Sequence, residues 1–293
     1  MPMLQRLLLV VAAVQLGPMR TAFAEELTPP APSGTWELEG SLVRDGTVTA
    51  VAAVAWISTE TFFKSALSPR TCRWCDNAPD GSSSLNPVDG WGRGIRARSA
   101  SGQHRADVAS SVIDYAALPL ALVGTEAWVL SAHQATRRAW EDALDVGEAV
   151  ALAGVLDQAV KFAAGRERPF VHALPASDKA FTAQPSDNNL SFYSGHSTVA
   201  FSLVVAAGTV ATLRGYEGAG WIWGVGLPLA TAVPVLRMVA DKHYLSDVVV
   251  GTLLGAGIGV AVPVLLHRRK GATPLLNARL GVGPDGITLT WVG

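Results

Sequence analysis

Arg237-Met238-Val239-Ala240-Asp241-Lys242-His243-Tyr244-Leu245-Ser246-Asp247 sets a cation, an imidazole and a carboxylate at fixed intervals between two uncharged runs, residues 218–236 and 248–266. Each run has 19 residues, close to the roughly 20 that a membrane-spanning helix needs. The polar stretch therefore reads as the turn between two long apolar helices. His243 and Asp247 are four residues apart, so on a helix they share a face, and the carboxylate can hold one ring nitrogen while the other stays free. The same spacing also describes an ordinary surface pair.

Two further stretches point to the same chemistry. Ser191-Phe192-Tyr193-Ser194-Gly195-His196 precedes an uncharged run, residues 197–213, so its small polar residues sit where a helix begins. Free backbone N–H groups at a helix start favour an anion, and Gly195 lets the main chain come close to one. Earlier, Lys161 and Arg168 are seven residues apart, with Pro169 directly after. That separation returns both cations to one face, roughly 10 Å apart along the axis if the helix holds, although Gly165 and Pro169 predict that it ends between them. Lys161, Arg168, Arg237, a helix start and two histidines make a candidate phosphate site.

These residues carry a family resemblance. Lys161 to Pro169 reads Lys-x6-Arg-Pro, Ser194-Gly195-His196 forms a Ser-Gly-His core, and Arg237 to Asp247 reads Arg-x5-His-x3-Asp. In this order they resemble the three motifs of the type 2 phosphatidic acid phosphatase (PAP2) and vanadium haloperoxidase superfamily, over about residues 105–267. Tyr193 stands where that family usually has Pro, and Leu236 where it usually has Ser; neither departure removes a proton-transfer group.

The resemblance implies a metal-independent phosphatase that hydrolyses a phosphate monoester or diphosphate, of a lipid, through a phosphohistidine. By position, His243 is then the nucleophile, Asp247 orients it and stabilises its imidazolium form, and His196 is the general acid. Lys161, Arg168, Arg237 and the N–H groups of Ser194 and Gly195 would bind the non-bridging oxygens. Three fixed cations can take the place of a metal, and no carboxylate cluster suggests magnesium, so no cofactor is expected. Two other classes share the pattern: a vanadium haloperoxidase with His243 on the metal, and a non-catalytic helical membrane protein. The export signal and apolar runs weigh against the first, and the intact proton-transfer groups against the second.

The rest of the chain frames this segment. Arg6, the apolar run Leu7 to Val14 and Ala22-Phe23-Ala24 describe a secretory signal over residues 1–24. Residues 25–106 read as an extension with an amphipathic helix at 48–66 and the pair Cys72 and Cys75, which in an exported protein can close a local disulfide. A zinc site there would need two more ligands. At 49% hydrophobic and 16% charged, with mean hydropathy +0.28, the chain is poorer in charge than the roughly 25% of a soluble domain. A net charge of -1 gives no reason to expect nucleic acid as a partner.

The fold class that follows is all-α: a bundle of five to six mostly apolar, transmembrane helices over residues 107–270, with a β-hairpin in the tail 271–293. Helices are expected at 107–133, 144–164, 197–213, 218–236 and 247–267. With five crossings, Arg137, Arg138, Arg214 and the cluster from His267 to Lys270 fall on the cytoplasmic side and all three motifs on the outer side. The partners expected are a membrane and a phosphorylated lipid or small ester, and the location a bacterial-type inner membrane with the site facing the periplasm, or the periplasm itself. Asp157 is expected beside Lys161. Asp241 and Lys242 read as a solvated pair, and His104, His133, His172 and His267 as ordinary surface or loop histidines.

Overall fold

The computed structural model describes residue 38, residues 40–132 apart from 79 and 81, residues 138–267, and the backbone of residues 278–283 and 286–291. The signal segment 1–24 lies outside the described residues. In chain order the helices are α1 (Leu42–Thr61), α2 (Lys64–Leu67), α3 (Pro87–Arg93), α4 (Ala100–Val112), α5 (Leu118–Ala132), α6 (Ala139–Ala164), α7 (Pro169–His172), α8 (Gly195–Leu213), α9 (Ala219–Val239) and α10 (Leu245–Ala261). Five residues of π-helix, Ile113–Ala117, join α4 to α5, and another such turn, Val262–Leu266, extends α10.

Helix α8 is the centre of the bundle, packed by α6, α9 and α10. Its small residues Ala200, Val204, Ala206, Ala207, Val210 and Ala211 are buried. The tightest pairing is with α10, and glycines explain it. Gly251, Gly255 and Gly259 recur every four residues and so form one stripe. A Cβ at Gly255 would stand 2.4 Å from the Thr198 carbonyl oxygen, and one at Gly251 would stand 2.6 Å from that of Ser194. Backbones can approach this closely only where side chains are absent. The stripe thus presses the start of α10 against the start of α8, bringing together two of the three motifs.

The first helix begins earlier than expected, at Leu42, and lies along α6 with the Trp56 ring filling the notch that Gly154 leaves. Its other face exposes Val43, Val51, Val54 and Ile57. Leu120, Val123, Leu253 and Val260 also point outward, and four segments are long and apolar enough to cross a membrane: Ala100–Thr125, Gly195–Leu213, Ala219–Val239 and Leu245–Leu266. The expected fifth span, 144–164, is not among them. That helix carries Asp142, Asp145, Glu148 and Asp157, all buried, and it is enclosed by α1, α8 and α10. The charges that disqualify it as a lipid-facing helix turn inward, where Asp142 pairs with Arg214, Asp157 with Lys161 and Glu148 with His267.

The tail is not part of this architecture. Ala278–Gly283 pairs antiparallel with Gly286–Trp291, but the fold class rests on the helices, and the hairpin expected over 271–293 is not carried into it. Cys72 and Cys75 are disulfide-bonded.

Candidate active site

The motif residues arrive at one end of the bundle from five different segments. Lys161 lies in the last turn of α6. That helix stops at Gly165, whose φ of +56° suits a residue without a side chain and whose N–H closes on the Lys161 carbonyl at 3.0 Å. The chain then runs extended through Arg166 to Arg168, and Pro169 opens α7. His196 is in the first turn of α8, capped by Ser194, Arg237 is in the last turn of α9, and His243 is in the turn that enters α10.

Lys161, Arg168, His196, Arg237 and His243 all line one cavity of ≈ 500 Å³. Sequence reasoning brought these five together, and the structure brings them together too. Each cation leans on a carboxylate: Lys161 on Asp157 at 2.8 Å, Arg168 on Asp187 at 3.8 Å, and Arg237 on Asp107. Burial alone would raise the Asp187 carboxyl, but Arg168 and Lys64 overcome it and hold it below the ordinary range. Fixed in this way, the cations keep donors to spare. The Arg237 Nε–H is buried with no hydrogen-bond partner among the described residues, an unmet donor of the kind an anion would satisfy.

Gly195 matters through space rather than torsion. A Cβ there would stand 2.7 Å from the Lys161 ammonium and 2.8 Å from Asp157, so any side chain would wedge into the lysine's ion pair. The Ser194 N–H, expected to face the anion, instead donates to the Asp247 carbonyl at 3.1 Å. Ser194 therefore ties the start of α8 to α10, and the donors at this helix start are reduced to those beyond it.

The Asp247 expectation needs a larger correction. His243 precedes α10 and Asp247 lies inside it, so the two do not share a helical face. His243 Nδ1 sits 2.8 Å from the Ser191 carbonyl oxygen and 3.7 Å from Asp247 Oδ2. The carbonyl accepts a hydrogen bond from Nδ1–H, which leaves Nε2 bare toward the cavity. Asp247 acts one step back: it accepts from the Ser191 hydroxyl at 2.5 Å and from the Tyr244 N–H at 2.9 Å. Burial, then Arg168, Arg237 and Lys161, hold the His243 imidazole well below its ordinary pKa, so the ring is neutral at pH 7. His196 Nε2 lies 3.2 Å from the Ser111 hydroxyl, and its ring meets Tyr115 edge-on. Both partners come from the α4 end and the π-helical turn.

Residues 142–270 match the model of the PAP2 superfamily. The matched segment is 129 of the 293 residues. It contains all three motifs. The chain is also similar to an undecaprenyl-diphosphatase of Sulfolobus acidocaldarius, 30% identical over 107 residues, which is 36% of this chain and 47% of that protein. The chain thus spans about half the length of the curated relative it matches. A solved structure, the first transmembrane PAP2 type phosphatidylglycerolphosphate phosphatase from Bacillus subtilis, is similar at 15% identity over 74% of this chain and 93% of that one, with a TM-score of 0.42.

Sequence reasoning missed the residue that holds the candidate site together. Arg166 is fully buried and engages all five of its N–H donors: two with Asp76, one with Asp89 at 2.7 Å, one with Asp247 at 2.6 Å and one with the Ser246 hydroxyl at 2.7 Å. Its guanidinium is sandwiched between the rings of Trp74 and Tyr244, 4.1 and 4.2 Å from their centroids. Three carboxylates and two rings therefore position one cation, and that cation positions Asp247. The partners Asp89, Asp247 and Asp76 lie 77, 81 and 90 residues away, beyond any local spacing rule.

Two smaller expectations also fail. Asp241 and Lys242 are not a solvated pair: buried Asp241 binds Arg93, and Lys242 reaches Asp107 and lies over the Phe170 ring. His172 and His267 are not ordinary surface histidines. His172 spans Cys75 and Ser83, and His267 is wholly buried among carboxylates at the far end of the bundle.

Proposed function

We propose that the chain is a phosphatase that cleaves a lipid phosphate monoester or diphosphate through a phosphohistidine at His243. The observation that carries this reading is the convergence of three fixed cations and two imidazoles on one ≈ 500 Å³ cavity. In the first step the bare Nε2 of His243 attacks phosphorus, an N–P bond forms, and the bond to the leaving oxygen breaks. His196 delivers a proton to that oxygen. Lys161, Arg168 and Arg237 hold the non-bridging oxygens and stabilise the charge they share in the transition state. In the second step water attacks the phosphohistidine, His196 takes the water's proton, and the N–P bond breaks to release phosphate and restore neutral His243.

The roles in this scheme follow the local bonding. The Ser191 carbonyl holds the Nδ1–H while Nε2 reacts, and Asp247, 3.7 Å away, stabilises the positive ring once phosphorus is attached. A lipid is favoured because the apolar Trp56, Ile57, Tyr115, Leu190 and Val199 line the cavity beside the cations, and Ile57 and Tyr115 are more than half exposed. An acyl or prenyl chain could leave between them into a bilayer, with the site on the outer face as the basic-residue pattern favours.

The test uses full-length protein in detergent with EDTA, assayed on phosphatidic acid and on undecaprenyl diphosphate. Phosphate release that disappears in His243→Ala, with an acid-labile phosphoryl adduct trapped only when His243 is present, supports the scheme. Turnover that survives His243→Ala refutes it, and halide oxidation on adding vanadate with no phosphate release would replace it.

A further inference from the structure

The geometry points to a second site, for a divalent transition-metal ion of the zinc or manganese class, at the end of the bundle away from the phosphate cavity. It is built from Asp45 in the first turn of α1, Asp145 and Glu148 near the start of α6, and His267 just beyond the π-helical turn that extends α10. The 22 residues of Leu245–Leu266 put it roughly 30 Å from the site helix start at the usual rise. Relative exposures are 2% for Asp45, 0% for Asp145, 3% for Glu148 and 0% for His267.

The His267 ring is flanked on both sides by carboxylates. Nε2 lies 3.0 Å from Glu148 Oε2, while Nδ1 faces Asp145 Oδ1 at 3.2 Å and Asp45 Oδ2 at 3.6 Å. One atom each from Asp45, Glu148 and His267 lie within 4.8 Å of one another. A neutral imidazole has a single N–H. Donated to Glu148, it leaves Nδ1 as a lone pair aimed at two carboxylates, three acceptors with no donor between them. Neither oxygen of Asp145, nor His267 Nδ1, has a hydrogen-bond partner among the described residues. A buried carboxylate left this way is costly unless a cation completes it.

The charge and spacing suit a doubly charged ion. Three carboxylates face one another here; Arg44 pairs with Asp45, and the nearby Arg214 is taken up by Asp142 and Glu141, so the cluster keeps a net negative charge. Two ligands each about 2.1 Å from a tetrahedral ion stand roughly 3.4 Å apart, between the 3.2 and 3.6 Å seen here. Glu148 would then orient the ring from behind through Nε2–H, the usual arrangement of a metal-bound histidine. An imidazole with oxygen donors selects zinc, manganese or their neighbours over magnesium or calcium.

Untagged full-length protein, stripped with EDTA, equilibrated with Zn²⁺ or Mn²⁺ and desalted, is read by elemental analysis and thermal melting. We expect about one ion per chain and a midpoint raised by several degrees, both lost in Asp145→Asn and His267→Gln. Wild-type protein that holds no metal, or variants that hold as much as wild type, overturn the site. A midpoint that rises on acidification with no metal uptake also overturns it, because a second proton would then be the cation. Should a variant fail to fold, electron paramagnetic resonance of Cu²⁺ on the wild type decides: coupling to a single imidazole nitrogen supports the site, and none or several refute it.

Discussion

Replacing Arg166 by Lys should lower the turnover of the proposed phosphatase without weakening its hold on substrate. Arg166 does not line the cavity; it engages Asp76, Asp89, Asp247 and Ser246 through five hydrogen bonds. A lysine ammonium has three donors and no planar fork, so at least two of the five bonds are lost. At roughly 1.5–3 kcal/mol for a bond to a charged group, that is about 3–6 kcal/mol, against a total stability of about 5–15 kcal/mol. For a chain of this size the thermal midpoint should fall by roughly 6–20 °C. Because Asp247 loses its 2.6 Å anchor, the Ser191 carbonyl that orients His243 loosens too. We expect kcat to drop on the order of 10- to 100-fold, the usual cost of removing such outer support, with KM within about twofold. Steady-state phosphate release at a temperature well below the lowered midpoint measures both. An Arg166→Lys enzyme with wild-type kcat would refute the claim that this guanidinium positions the nucleophile, and a KM rise with unchanged kcat would place Arg166 in substrate binding instead.

Other outcomes follow from the same geometry. Gly195→Ala should cost at least tenfold in kcat/KM, because its Cβ displaces the Lys161 ammonium 2.7 Å away; Lys161→Ala on the Gly195→Ala background should then add little, as expected for two changes at one contact. Gly255→Leu should unfold or severely destabilise the protein in a detergent melt, since even a Cβ would stand 2.4 Å from the Thr198 carbonyl oxygen. The acid limb of kcat/KM should lie below pH 6.5, because His243 stays neutral and nucleophilic below its ordinary pKa. The sign for stability is the opposite: the unfolded chain takes up that proton near pH 6.5 and the folded chain resists it, so the His243 contribution is present above pH 6.5 and is lost as pH falls below it. A melting midpoint that rises on acidification from pH 6.5 in His243-containing protein, relative to His243→Ala, would contradict this.

What the sequence made legible was what short spacing can encode. Lys161, Arg168, His196, Arg237 and His243 each belong to a local pattern, and each pattern sits at the end of an apolar run, so the helices carry them to one place. The ends of α8, α9 and α10 fell within a few residues of the uncharged runs because charge stops those runs. Two things were not legible. Helix α6 looked like one more span because charges within a helix read the same whether lipid or partners surround them; its acids pair with Lys161, Arg214 and His267 only after folding. The direct helical pairing of Asp247 with His243 was misread because the i,i+4 rule assumes a helix, and α10 begins only at Leu245. Arg166 could not be found at all, since every group that explains it lies at least 77 residues distant.

The segment matched to the PAP2 superfamily begins at residue 142, yet Trp74, Asp76 and Asp89, which cradle Arg166, come from before it. A fragment cut to the family boundary would therefore keep every recognised signature while its central guanidinium lost a ring and two counterions. In such a fragment the signatures would stand without the supports that the upstream region gives Arg166.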